Sequence, residues 1–180
     1  MLYINFSASI NEQTSRALMN LLATRVTQGE NEFYLLFSSP GGNVTDGIAL
    51  HNFIRALPAK IIMHNIGHVD SIGNMIFLAA EERYSNPHSS FLFHKVSIGV
   101  PLQSQWDEKT LKEKSISLRA DQQIIANIIS EKTKLGVEEA MAMFYEEKTM
   151  MAEDAKITGI VRDVKQASIP EGAEIISLQF

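Results

Sequence analysis

Phe33-Tyr34-Leu35-Leu36-Phe37-Ser38-Ser39-Pro40-Gly41-Gly42-Asn43 is the stretch that decides the fold. Five large apolar residues in succession leave no alternation between a wet and a dry face. The run therefore predicts a strand covered on both sides. Ser39–Asn43 interrupts it with proline and paired glycines, which predicts a tight turn. Ile48, Leu50, Phe53, Ile54 and Leu57 then follow a helical pattern that stops at Pro58. Strand, turn and helix make one β-α unit.

The same unit recurs on either side. Leu2–Phe6 predicts a strand, and Ser9-Ile10-Asn11-Glu12 has the S-x-x-E spacing of a capping box. Leu18, Leu21, Leu22 and Val26 carry the helix behind it, with Gly29 at its end. Lys60–His64 predicts a third, buried strand, Gly67–Ser71 a turn and Ile72–Glu82 a buried helix. Ser90–His94 predicts a fourth strand. Val96–Ser104 is a long connection, followed by a long helix from about Asp107 to Lys134 with Ile124, Ile125, Ile128 and Ile129 as its stripe. Val137–Tyr145 and Ala152–Ile157 predict shorter helices, Ile160–Val164 a strand and Ile175–Phe180 an edge strand. Alternating strands and helices imply right-handed crossovers in a mainly parallel sheet. No repeat, linker or low-complexity segment divides residues 1–180, so one α/β domain is expected.

Composition narrows the chemistry. The 180 residues contain no cysteine, which removes disulfides, thiolate nucleophiles and Cys-ligated zinc. Net charge is −5 with both signs interspersed; Lys109–Lys114 is broken by Glu113 and preceded by Glu108. No basic face suits a phosphate backbone, so no nucleic-acid partner is expected. The N-terminus lacks the basic and long apolar regions of a signal peptide, and no apolar run reaches the length of a membrane span. A soluble, cytoplasmic protein is the expectation.

Ligands of parallel sheets collect outside the carboxyl ends of strands. Three such ends stand out: Ser39–Asn43, Gly67–Ser71 and His94. Ser71 opens a predicted buried helix, where unpaired amides favour negative charge. It reads either as a nucleophile beside oxyanion donors or as an ordinary helix cap. Pro40-Gly41-Gly42 reads either as a second set of donors or as a plain turn. It is not a phosphate-binding loop, because G-x-x-x-x-G-K-[ST] is absent. His94 is a candidate base or a structural histidine. His64 and His68 are four apart, but a predicted strand-to-loop change separates them, so no metal site is expected. His51 and His88 are expected to be structural or exposed.

Together these segments resemble the ClpP family, the proteolytic subunits of Clp protease. Ser39-Pro40-Gly41-Gly42-Asn43-Val44-Thr45-Asp46-Gly47 is similar to its SPGG segment. Gly67-His68-Val69-Asp70-Ser71-Ile72-Gly73 is similar to the stretch that carries its nucleophile, and Phe91-Leu92-Phe93-His94 to the strand ending in its catalytic histidine. Ala152-Glu153-Asp154-Ala155 with Gly159-Ile160-Val161 resembles its C-terminal motif. The likeness runs from about Ile4 to Val164.

The resemblance implies the ClpP/crotonase-type fold, with a handle-like long helix after the fourth strand. It implies a serine endopeptidase acting on peptides or unfolded proteins, without a bound cofactor. Ser71 would be nucleophile, His94 base, and the Gly42 and Ile72 backbone amides the oxyanion donors. The family's third member, usually Asp, falls on Glu147, with Glu146 adjacent. The same resemblance implies a homo-oligomer of heptameric rings, with an AAA+ unfoldase as the expected partner.

Several positions depart from the family pattern. Asp70 replaces a small apolar residue and places charge beside the nucleophile. Met151 replaces a Ser/Thr cap, the stretch after Val96 matches poorly, and the chain begins close to its first strand, without the family's axial-loop segment. Three other readings follow: an inactive structural subunit of a mixed ring, a crotonase-type acyl-CoA enzyme, and a signal-peptide peptidase relative using a lysine base. Lys95, the tempting lysine, adjoins His94 and points to the opposite strand face.

Overall fold

The computed structural model describes residues 1–99 and 106–180. Its strands are β1 (Leu2–Ser7), β2 (Glu32–Ser39), β3 (Lys60–Asp70), β4 (Glu82–Ser85), β5 (Ser90–Leu92), β6 (Thr149–Met151), β7 (Asp163–Val164) and β8 (Ile175–Ser177). Its helices are α1 (Glu12–Thr27), α2 (Val44–Ala56), α3 (Gly73–Leu78), α4 (Glu108–Lys132), α5 (Val137–Glu146) and α6 (Ala152–Ile157). The sheet runs β6-β5-β3-β2-β1-β8, with β4 on β3 and β7 on β4. Every ladder is parallel except β5–β6. The mainly parallel α/β sheet, and the long helix behind the predicted fourth strand, are as expected.

The side-chain period of two sorts each central strand onto two unequal faces. Leu2, Ile4 and Phe6 of β1, Phe33, Leu35 and Phe37 of β2, and Met63 of β3 point to the main core, against Leu18, Leu22, Leu50, Ile54 and helix α3. Tyr3, Tyr34, Leu36 and Ile62 point the other way, into a small aromatic cluster closed by Tyr84, Ala167 and Ala173. The apolar run in β2 is thus covered twice, once by helices and once by the C-terminal segment.

Several boundaries differ from the sequence reading. The third strand does not stop at His64, nor is Gly67–Asp70 a turn: β3 continues to Asp70. Its first half pairs β4 through Ile62–Asn65, and its second half pairs β5 through His68–Asp70. Asn65, fully buried, sits at the fork. It donates from Nδ2 to the Ser90 carbonyl (2.9 Å) and accepts from the Gly67 amide at Oδ1 (2.9 Å). The fork is what satisfies a polar half-strand.

The predicted helix Ile72–Glu82 is shorter, because Glu82 and Arg83 leave it for β4. There Lys60 pairs with Glu82 (3.0 Å) and Arg83 donates to four carbonyls. The first helix is capped by Asn11 rather than Ser9. Asn11 Oδ1 accepts from Thr14 N (3.0 Å), while the Ser9 carbonyl accepts from Thr14 Oγ1 (2.7 Å). Thr149–Met151 forms an antiparallel strand that no apolar run announced. Ile160 and Val161 are buried in a turn, leaving only Asp163–Val164 as strand. On α4, Ile125 and Ile129 are buried but Ile124 is turned outward. Most of the Val96–Ser104 connection lies outside the described residues.

Candidate active site

The carboxyl ends of β2, β3 and β5 meet at one edge of the sheet. Pro40-Gly41-Gly42, after β2, is clamped from both sides. Ile10 N donates to the Gly41 carbonyl (2.8 Å) and Asn43 N to the Ile10 carbonyl (2.8 Å). That parallel bridge turns the Gly42 N–H to the opposite edge. A Cβ on Gly42 would lie 2.1 Å from the Ile10 oxygen; one on Gly41 would lie 2.6 Å from Ser71 Cβ. Both glycines also hold positive φ, 83° and 150°. Only glycine fits either place.

Ser71 stands in the turn between β3 and α3 with φ 56°, left-handed for a residue that has a Cβ. Its N–H donates to the Leu92 carbonyl at 2.8 Å, holding the turn on β5. The first turn of α3 has no side-chain cap, so the Ser71 hydroxyl is not acting as one. The Ile72 amide follows directly, at the start of the helix. A strained serine on a strand-to-helix turn, its hydroxyl in no hydrogen bond among the described residues, is the arrangement of a nucleophile elbow.

His94, expected to be the last residue of its strand, lies two residues beyond it. The β5 ladder ends at Leu92. One further contact, Phe93 N to the Lys148 carbonyl (2.9 Å), carries the chain on beside β6. Ser71 and His94 then line the same cleft, together with Val44, Ile72, Met75, Phe93, Val96, Ile125 and Phe144. His94 Nδ1 lies 2.9 Å from the Lys95 carbonyl, which only accepts. The neutral ring therefore carries its proton on Nδ1 and leaves the Nε2 lone pair free.

Glu147 precedes β6 by two residues. The β5–β6 ladder pairs Leu92 with Thr149 and Phe91 with Met150, Phe93 N meets the Lys148 carbonyl beyond it, and no hydrogen bond joins Glu147 to His94 among the described residues. Glu147 also closes α5 in a left-handed conformation (φ 52°, ψ 53°) and is exposed. Glu146 is the last residue of α5.

Asp70, half-buried at the end of β3, shares a face with His68 by the strand period. Burial pushes its carboxyl above the usual aspartate range, against the opposing pull of His68, a backbone hydrogen bond with Leu92 and His94. The other histidines have separate duties. His68 Nδ1 meets Ser90 Oγ (3.0 Å). His64 accepts from the Tyr34 hydroxyl (2.6 Å) and donates to the Lys165 carbonyl (3.0 Å). His51 donates to the Met75 carbonyl (2.7 Å). Two buried amides escaped the sequence reading, Asn65 at the fork and Asn74 in α3. Their signal was a lone Asn inside an otherwise apolar segment.

Fold and site together define an α/β protein whose parallel sheet presents a serine and a histidine in one cleft at its carboxyl edge. A model of the Clp protease family matches residues 2–168, and the chain belongs to that family. It is similar to ATP-dependent Clp protease proteolytic subunit 2 of Pseudomonas aeruginosa, 32% identical over 96 residues that cover 52% of this chain and 48% of the relative. With ATP-dependent Clp protease proteolytic subunit 1 of Chlamydia felis it shares 29% identity over 137 residues, covering 75% of this chain and 66% of that one. The chain thus spans from about half to just under two-thirds of the length of these relatives. A solved ClpP1 mutant from Listeria monocytogenes superimposes with a TM-score of 0.82 at 20% identity, over 92% of this chain and 91% of that chain. At that identity the likeness is one of fold. Among the described residues, no helix is long and apolar enough to cross a membrane.

Proposed function

We propose that this chain is a serine endopeptidase in which Ser71 is the nucleophile and His94 the general base. The observation that carries the reading is Ser71 itself: left-handed, not acting as a helix cap, and in one cleft with a histidine whose Nε2 is free to accept a proton. His94 Nε2 takes the Ser71 Oγ proton as Oγ bonds to the peptide carbonyl carbon. The oxyanion is held by the Gly42 and Ile72 amides. Collapse breaks the C–N bond, and His94 returns its proton to the leaving amine. Water then attacks the acyl-enzyme through the same base, releasing the acid and restoring Ser71. Glu147 serves as the third member by balancing the imidazolium charge, and the Lys95 carbonyl fixes the tautomer. No bound cofactor enters any step.

Peptides or unfolded proteins are the substrates proposed, processed in the cytoplasm by a ring of copies, seven to a ring, fed by an AAA+ unfoldase. Leu111, Ile116 and Ile124 on α4 are exposed apolar residues that suit contact with another copy.

A fluorophosphonate probe tests the chemistry. The expected result is one adduct, mapped to Ser71, absent in Ser71→Ala and accompanied by casein or short-peptide cleavage. A folded, oligomeric protein that takes no label would overturn the reading. That outcome would favour a second one, an inactive structural subunit, to which the charge of Asp70 also lends weight.

A further inference from the structure

Asn74 is the one polar residue in Ile72-Gly73-Asn74-Met75-Ile76-Phe77-Leu78, and it is 1% exposed. Its Nδ2 donates to the Leu92 carbonyl at 2.8 Å and to the Ser71 carbonyl at 3.1 Å. Carbonyls only accept, so the amide cannot be turned round. Oδ1 is therefore buried on the other side, and no partner meets it among the described residues.

Neither carbonyl needs this side chain. Leu92 O already accepts from Ser71 N (2.8 Å), and Ser71 O already accepts from Asn74 N (3.1 Å). An apolar residue would satisfy the local hydrogen bonding equally well and remove an orphan acceptor. What the amide adds is a brace. It joins the carbonyl of the left-handed serine to the strand carbonyl two residues before His94. The two chain segments it joins carry the two groups that must exchange a proton.

We propose that Asn74 is a positioning residue for the Ser71–His94 pair, its side-chain amide bracing the serine turn against β5. This rests on the peptidase reading and extends it to a residue that touches neither substrate nor the reacting atoms. Displacements of an ångström between reacting groups cost up to about a hundredfold in rate, so a brace of this kind acts on the chemical step.

Asn74→Leu and Asn74→Ala test it, read by fluorophosphonate labelling rate, by kcat and KM on a peptide, and by thermal unfolding. The expected result is a Tm equal to or above that of the parent. KM should stay within about twofold while kcat and labelling fall about tenfold to a hundredfold. Parent-like labelling in both variants would overturn the brace. So would a loss of activity that simply follows a collapse of Tm in both, since Asn74 would then be a folding residue. Hydrogen exchange at the Ser71 amide reads the brace without any chemistry. Faster exchange in the variants supports it; unchanged exchange overturns it, whatever Ser71 does. A parent that takes no label at Ser71, with Ser71→Ala as the blank, overturns the peptidase reading and with it the catalytic role given to Asn74.

Discussion

Ser71 and Glu147 are the two residues other than glycine with positive φ among those described, at 56° and 52°. Each such conformation costs about 1–3 kcal/mol and persists only where the surroundings impose it. For Ser71 the surroundings are Gly41 in van der Waals contact, the Leu92 carbonyl on its amide, and Asn74 on its own carbonyl. Asp70 is the residue at odds with the proposed chemistry. A carboxylate beside the serine opposes the negative charge that develops on the substrate oxygen, and only partial burial keeps its proton affinity raised. Asp70→Asn removes the charge without changing size. The expected outcome is a labelling rate at neutral pH that rises by roughly twofold to tenfold, measured against Ser71→Ala as background. An unchanged or lower rate would show that the charge of Asp70 supports His94 more than it opposes the oxyanion.

Two short strands do what no single residue could. β6 pairs antiparallel with β5, and the bond from Phe93 N to the Lys148 carbonyl brings the residue after Glu147 to the chain just before His94. In the proposed mechanism the Lys95 carbonyl fixes the ring tautomer, so the role proposed for Glu147 is to balance the imidazolium charge. Glu147→Gln is therefore expected to lower kcat about tenfold to a hundredfold, well short of the roughly 10⁴ seen when a triad acid alone sets the tautomer. Steady-state peptide kinetics decide it. β4 brings in Arg83, whose guanidinium donates to the carbonyls of Ala80, Lys132, Gly159 and Ile160 at 2.6 to 3.2 Å. It thereby ties the end of α3, the end of α4 and the turn before β7 to the sheet. Arg83→Met leaves several part-buried acceptors short of a donor and is expected to destabilise the fold by roughly 3–4 kcal/mol in urea unfolding. Arg83→Lys, a single point of charge without the planar fork, should recover little of it.

Across the whole molecule, the sheet is sealed on one face by helices and on the other by the segment that follows β7. His64 fastens that second seal, donating to the Lys165 carbonyl, while the Tyr34 hydroxyl that bonds its other nitrogen is pushed up to about 12 by burial. Burial holds both His64 and His51 below the ordinary 6.5. In the unfolded chain both take a proton near that value, so their contribution is whole above it. It is lost as pH falls from about 6.5 toward their lowered folded values. Tm measured from about pH 8 down to about pH 5 should drop in that window, with a shallower slope in His64→Gln. The sequence by itself determined the β-α alternation, the parallel sheet and the three strand ends that carry Gly42, Ser71 and His94. Those are local facts, since side-chain period, glycine and proline act over a few residues. Tertiary structure decided the fork at Asn65, the strands β4 and β6, and the hydrogen bonds of Asn74 to the Ser71 and Leu92 carbonyls. Each of these depends on a polar group meeting a partner far along the chain, and hydrophobic pattern carries no record of which partner that is.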